Sequence, residues 1–290
     1  MHNFAHKLAL GTVQFGLDYG ISNATGKITP VEVAGILGLA KASGINLLDT
    51  AAAYGESEQV LGEQLREGKL QFNVVSKLPN CAADKVKVTF QNSLTRLGLS
   101  ELYGYLVHDF EWFRQQSAIW QELRRLKQEG KVQKIGFSVY LPEQVNWLLE
   151  TEFVPDLIQV PYSLFDQRFA PLFPVLQERG VEVHVRSVFL QGLFFLSPEN
   201  LRPHFASVKT KLTQVRQLFA AHQIPVAAGL LCFAWLCEGI DKLVIGVESL
   251  QNLRENLAAE KWLEKTREIY PELLQFAEID PAIILPTNWK

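Results

Sequence analysis

Short apolar runs alternate with amphipathic stretches eight times along this chain, and that alternation limits the folds open to it. The runs are Leu8–Leu10, Ile45–Asp49, Phe72–Lys77, Leu102–Val107, Lys134–Ser138, Leu157–Pro161, Val181–Val188 and Lys242–Val247. Between them apolar residues recur at helical spacing, as in Val33, Leu37 and Ala40, or Val86, Phe90, Leu94 and Leu97. Thr29-Pro30 reads as an N-cap followed by proline at the first helical position. Further helices are expected to run to about Gly68, from about Phe113 to Gly130, from Pro142, near Phe169–Gly180, around Ser207–His222, at about Pro225–Cys237 and from about Leu250. Strands separated by helices pair in parallel. Eight such units predict an α/β chain closed as a (β/α)8 TIM barrel. No break in composition marks a linker, so residues 1–290 are expected to form a single domain with a C-terminal tail at about 278–290. The end of that tail carries Ile283, Ile284, Leu285 and Trp289, and both docking on the barrel and staying loose remain open for it.

Composition excludes several function classes. The 290 residues are 48% hydrophobic and 20% charged, enough apolar mass for a sizeable core. A formal net charge of −3 gives no reason to expect nucleic acid or an anionic membrane as a partner. No apolar run approaches the ~18 residues of a membrane span, and Met1–His6 lacks the apolar core of a signal peptide. Three cysteines, Cys81, Cys232 and Cys237, show no zinc-type spacing and read as reduced thiols of a cytoplasmic protein. No metal site is expected.

Polar residues sit where the apolar runs stop: Asp49, Lys77, His108, Ser138, Gln159, Ser187 and Glu248. In a barrel these carboxyl ends share one face, the face on which such folds carry their active sites. Singly, an Asp–Lys pair reads as a structural ion pair and a lone His as a core residue; seven polar ends together outline a site. The second unit is the most informative. Its strand ends at Asp49, a loop of small residues presents Tyr54, and Glu56 or Ser57 is placed to cap the next helix.

The stretch Asp49-Thr50-Ala51-Ala52-Ala53-Tyr54-Gly55-Glu56-Ser57-Glu58 resembles the signature of the aldo-keto reductases, and the likeness extends over roughly Leu8–Asn256. The resemblance implies an NAD(P)H-dependent reduction of an aldehyde or ketone to the alcohol, without metal, on a small carbonyl substrate. It implies a catalytic tetrad of Asp49, Tyr54, Lys77 and His108. The residue chemistry agrees. Reduction of a carbonyl needs a proton at oxygen as hydride reaches carbon, and a phenol with a pKa near ~10 releases one more readily beside an ammonium. Lys77 supplies that ammonium, Asp49 holds it, and His108 is suited to bond the substrate oxygen. Asp109 departs from the aromatic or basic residue usual after the histidine, and reads either as a substrate determinant or as a solvated side chain.

By the same resemblance Ser138 and Gln159 hold the nicotinamide carboxamide, and Gly11 and Thr12 border the cofactor. Ser187, Phe189, Gln191 and Gly192 match the loop over the pyrophosphate, and Glu255 and Asn256 match the adenine contacts. Three places in this cofactor set depart from the family pattern. Val139 replaces an Asn. Arg186 replaces the aromatic residue that stacks on the nicotinamide; its guanidinium is itself able to stack there as a cofactor contact, though it brings positive charge beside an oxidised ring, and Phe189 or Phe165 is the alternative source of aromatic area. Val247 and Asn252 stand where a basic clasp for a 2′-phosphate is usual, with Glu248 between them and Arg254 left as a basic residue within reach of such a phosphate. A carboxylate there repels phosphate and accepts from a ribose hydroxyl, which favours NADH over NADPH. The loop Phe15–Tyr19, with Trp112 and Phe113, is expected either to form the substrate mouth or to pack on the rim. A monomer or small homo-oligomer is expected. The alternative function is a nucleotide-binding regulatory or sensor protein on the same scaffold, suggested by Val139 and Arg186; a third is an isomerase or lyase on an unrelated barrel.

Overall fold

The computed structural model describes residues 4–21, 23 and 26–289. Eight strands appear: β1 (Leu8–Gly11), β2 (Leu47–Asp49), β3 (Asn73–Leu78), β4 (Leu102–Val107), β5 (Val132–Ser138), β6 (Leu157–Pro161), β7 (Glu182–Arg186) and β8 (Lys242–Gly246). They close in sequence order into one parallel barrel, a (β/α)8 fold. The seam joins β1 to β8 with Leu8 opposite Leu243 and Gly11 opposite Gly246. Lys290, the last residue of the expected tail, and Met1–Asn3 lie outside the described residues.

Successive strand residues face opposite sides of a sheet, and here the two sides form two separate cores. Leu8, Leu10, Leu48, Val74, Tyr105 and Val107 pack outward into the layer shared with the helices. Ala9, Leu47, Val75, Leu106, Leu157 and Val244 pack with one another as a distinct cluster. That cluster is the filling of the barrel, one layer deep. Two residues further along the same strands, on the same face, come Gly11, Asp49, Lys77, His108, Gln159 and Gly246. The next layer up is therefore polar, with glycine where β1 and β8 meet. Alternation alone dictates that these side chains converge on the barrel axis at its carboxyl end.

Thr29 caps the helix Pro30–Ala42 by accepting from the Glu32 amide, with Pro30 in the first turn. The second unit departs from expectation: neither Glu56 nor Ser57 caps Ser57–Glu67 through its side chain. Ser57 is buried and turned inward, its Oγ donating to Thr12 O at 2.7 Å and lying 3.1 Å from Thr50 Oγ1. It ties the ends of β1 and β2 together instead. Glu58 is buried as well, accepting from Ser76 Oγ at 2.6 Å and from Arg96 Nε at 2.8 Å.

The helix expected from Phe113 to Gly130 is two, Phe110–Gln115 and Ile119–Gln128. The first starts early because the Asp109 carboxylate caps it, accepting from Trp112 N at 2.9 Å. Phe113 is fully buried among Phe137, Trp147 and Phe153, with Phe137 at 4.8 Å between ring centroids. β7 stops at Arg186, short of the expected Val188, because Ser187 takes a φ of 64° that no strand tolerates. The helix after β6 shortens to Phe173–Glu178, and the long connection after β7 forms Lys209–Ala221 and Val226–Leu236. The tail docks through its described residues. Ile283 and Ile284 are buried, His204 bonds Ala282 O at 2.7 Å, and Trp289 packs edge-on to Phe205. Among the described residues no single helix is long and apolar enough to cross a membrane; one bent pair, Pro203–Ala221 with Val226–Leu236, passes on length and composition alone, and Leu230–Ala234 of the latter are buried in the core.

Candidate active site

A cavity of about 480 Å³ opens at the carboxyl end of the barrel. Asp49, Tyr54, His108, Ser138 and Arg186 line one part of it, and Gly11, Thr12, Val247, Glu248, Asn252, Glu255 and Asn256 another. Ser187, Phe189, Gln191 and Gly192 line it from the loop after β7. Of the eighteen residues that the resemblance assigns to catalysis or to the cofactor, only Lys77 and Gln159 are absent from the lining, and both are bonded to Asp49 from behind.

The Asp49 carboxylate is the hub. Lys77 Nζ donates to its Oδ2 at 2.7 Å, and Gln159 Nε2 donates to its Oδ1 at 2.7 Å. Lys77 donates also to Thr50 O at 2.9 Å. Its side chain is 1% exposed, so the ammonium is cut off from bulk water. Burial works against that charge, but the Asp49 carboxylate and then Tyr54 outweigh it, and the Lys77 pKa is held above its ordinary value. The ammonium lies 5.0 Å from the centroid of the Tyr54 ring, and His108 meets that ring edge-on at 6.0 Å between centroids. Burial, with the charges of Lys77 and Arg186, pushes the His108 pKa down to about 4. The imidazole is therefore neutral at pH 7 and able to donate one N–H.

Tyr54 owes its position to a close approach of two loops. A Cβ on Gly16 would stand 1.9 Å from Tyr54 O and 2.5 Å from Ser57 N, so only glycine lets the turn after β1 rest on the turn that carries the phenol. Across the cavity the loop after β7 is bent through non-glycine residues of positive φ, Ser187 at 64°, Leu190 at 46° and Gln191 at 50°. Such backbone strain collects where a loop is shaped for a ligand.

Sequence reasoning missed several lining residues. Gln14 lies over the end of β8, where a Cβ on Gly246 would meet its amide at 2.7 Å, and its Oε1 has no partner among the described residues. Tyr140 lines the cavity and carries the Arg186 guanidinium on its ring face, 4.1 Å from the centroid. Arg186 donates also to Val139 O at 3.1 Å, so the departures at 139 and 186 are joined by one hydrogen bond. Only the Val139 backbone takes part; its side chain is buried. Of the expected mouth, Tyr19 reaches the cavity, bonded through its hydroxyl to Gln191 Nε2 at 2.8 Å, whereas Phe15 and Phe113 are core residues. Phe165 is buried against Phe194 and does not line the cavity; Phe189, with Phe195 packed on it, and Tyr140 supply aromatic surface on this side.

A sequence model of the Aldo/keto reductase family matches residues 7–278. The chain belongs to this family. An uncharacterised oxidoreductase of Mycobacterium bovis, Mb2320, is 33% identical over 87% of this chain and 84% of its own length. Pyridoxal 4-dehydrogenase of Microbacterium luteolum is 25% identical over 89% of this chain and 90% of its own. Among solved structures, the holo form of the aldo-keto reductase AKR11C1 from Bacillus halodurans superposes with a TM-score of 0.76 at 21% identity, covering 95% of this chain and 94% of that one. Members of the family are oxidoreductases that use NAD(P)H in general and act on small carbonyl compounds. For an aldo/keto reductase the cavity's position is the expected one.

The residues fit a dinucleotide. Gln159 commits its Nε2 to Asp49 and leaves a buried Oε1 without a partner among the described residues, the acceptor that a carboxamide N–H would satisfy. On the β8 side Ser249 caps the helix Leu250–Ala258 by accepting from Asn252 N at 3.1 Å, which turns Asn252, Glu255 and Asn256 toward the cavity. Glu248 N donates to Asn252 Oδ1 at 3.3 Å, and burial pushes the Glu248 carboxyl above the usual range.

Proposed function

We propose that this aldo/keto reductase converts an aldehyde or ketone to the alcohol, with Tyr54 as the general acid. The observation that carries the proposal is the Lys77 ammonium, sealed from solvent, bonded to Asp49 and lying under the Tyr54 ring beside a neutral His108.

His108 donates a hydrogen bond to the substrate oxygen and fixes the carbonyl in the cavity. Neutral imidazole suits this role, since it orients the oxygen without competing to protonate it. The reduced dinucleotide, when bound, supplies hydride to the carbonyl carbon. Tyr54 gives its hydroxyl proton to the oxygen as that bond to carbon forms, and is left a phenolate beside Lys77. The ammonium stabilises the phenolate, and Asp49 keeps the ammonium charged and aimed. Gln159 ties Asp49 to the cofactor side: Ser138 and Gln159 take the carboxamide, Gly11, Thr12, Ser187, Phe189, Gln191 and Gly192 border the nicotinamide and pyrophosphate, and Glu255 and Asn256 take the adenine.

NADH is the favoured reductant. Val247, Glu248 and Asn252 line the β8 side, and Arg186, at the end of the neighbouring β7, is the only Lys or Arg among the described lining residues. A 2′-phosphate would meet a carboxylate there, whereas a ribose hydroxyl would donate to it.

The test is Tyr54→Phe. It removes one oxygen at a half-buried position, so folding should be retained while aldehyde reduction falls by about 10²–10⁴-fold in kcat. Reduction at the parent rate would remove Tyr54 from the mechanism. Dinucleotide binding without turnover of a broad aldehyde panel by the parent would point to a sensor instead.

A further inference from the structure

The mechanism leaves one charge in the cavity unused. Arg186 ends β7 with its guanidinium in the lining, and the partners found for it are uncharged: the Tyr140 ring and the Val139 carbonyl. Every other cation nearby is accounted for. Lys77 is neutralised by Asp49 at 2.7 Å, Arg168, which donates to Tyr140 O, is neutralised by Asp166 at 2.8 Å, and His108 is uncharged at neutral pH. A half-buried guanidinium with no counter-charge is costly, and its planar fork of N–H donors matches a carboxylate or a phosphate.

Its surroundings say where such an anion would lie. Tyr140 and Val139 hold the guanidinium from one side and leave it on the cavity wall with Tyr54 and His108. It is close enough to both His108 and Tyr19 for its charge to act on their protons. Beyond His108 and Tyr140 a smaller cavity of about 320 Å³ continues, lined also by Asp109, Phe110, Glu111 and Gln144. The two carboxylates there are engaged, Asp109 with Asn80 and Trp112 N, and Glu111 with Gln144. That extension repels an anion, so an acidic group on the substrate is steered toward Arg186.

We propose that the substrate is an anionic carbonyl compound, an aldehyde or ketone bearing a carboxylate or a phosphate, and that Arg186 pairs with that group while His108 and Tyr54 receive the carbonyl. This rests on the reductase reading. It adds that the residue standing where the family stacks an aromatic ring, packed here on the face of Tyr140, is a specificity determinant.

The experiment compares kcat/KM for charged aldehydes and neutral counterparts of similar shape and reactivity. The pairs are 4-carboxybenzaldehyde with its methyl ester, succinic semialdehyde with its methyl ester, and glyceraldehyde 3-phosphate with glyceraldehyde. At least one anionic member should exceed its partner by about 10- to 100-fold, the range expected of a charged hydrogen bond. The first two pairs report on a carboxylate and the third on a phosphate. Arg186→Met should abolish the preference through KM for the anionic aldehyde, and Arg186→Lys should restore part of it. The ratio within one enzyme is unaffected by any uniform loss of activity. Equal efficiency within all three pairs, or an Arg186→Met variant whose defect lies in KM for the dinucleotide, would overturn the assignment while leaving the reductase intact. Absence of turnover for all six aldehydes with either cofactor would sink the reductase reading and this inference with it.

Discussion

Replacing Lys77 by methionine tests both the architecture and the chemistry of the site. The side chain is 1% exposed, and Asp49 is buried as well. The substitution keeps the aliphatic volume and removes the charge, leaving the Asp49 carboxylate with Gln159 Nε2 as its remaining side-chain donor and Thr50 O without its Lys77 donor. Breaking a buried pair by deleting one partner costs about 3–5 kcal/mol, because the surviving charge is stranded. At roughly 2–4 °C per kcal/mol for a chain near this size, the melting midpoint should drop on the order of 10 °C. The double variant Asp49→Asn/Lys77→Met removes both charges, and asparagine can still accept from Gln159. It should recover most of the loss, while aldehyde reduction stays low in both variants. Thermal denaturation beside an aldehyde assay reads the two effects separately. Because the folded pKa of Lys77 is raised, the pair's contribution is fully present below 10.5 and is lost only as pH rises through the folded value. The gap between parent and Lys77→Met should thus be constant from about pH 6 to pH 9. A Lys77→Met protein melting within a degree or two of the parent would refute the idea of a sealed, charged pair.

Two further outcomes follow from the same cavity. Since the His108 pKa falls from 6.5 to about 4, its neutral form adds stability that is fully present above pH 6.5 and is lost as pH falls toward 4; His108→Asn should lose less stability over that interval, and an NMR titration of the parent should find the ring neutral at pH 6. Glu248→Lys places an ammonium at the β8 end, so a binding titration should find the NADPH affinity rising relative to NADH by about tenfold or more; an unchanged ratio would move the ribose away from Glu248.

The eight strands were legible because a fully buried parallel strand must be apolar at both faces, and such runs stand out from helical spacing. The polar strand ends were legible for a related reason: Asp49, Lys77 and Gln159 interrupt runs where packing alone favours apolar residues. What local pattern misled about was loop chemistry. Asp109 reads as either a solvated or a substrate-facing residue, and in the fold it both caps a helix and lines the smaller cavity beyond His108; Ser57 reads as a cap, and is a tie between two loops. Each offers a hydroxyl or carboxylate oxygen, and which groups it meets depends on the way the surrounding loops fold.

The sequence by itself determined the number and order of the β/α units and, through the two-residue period of each strand, which side chains face the barrel axis. Only the tertiary structure decided that Trp112 and Phe113 leave the mouth, that Gln14 and Tyr140 enter it, and that Arg186 lies against Tyr140. The physical reason is range. Strand alternation is a local rule of backbone geometry, whereas the fate of an aromatic ring or a guanidinium depends on the space and charge left by residues far away in the chain.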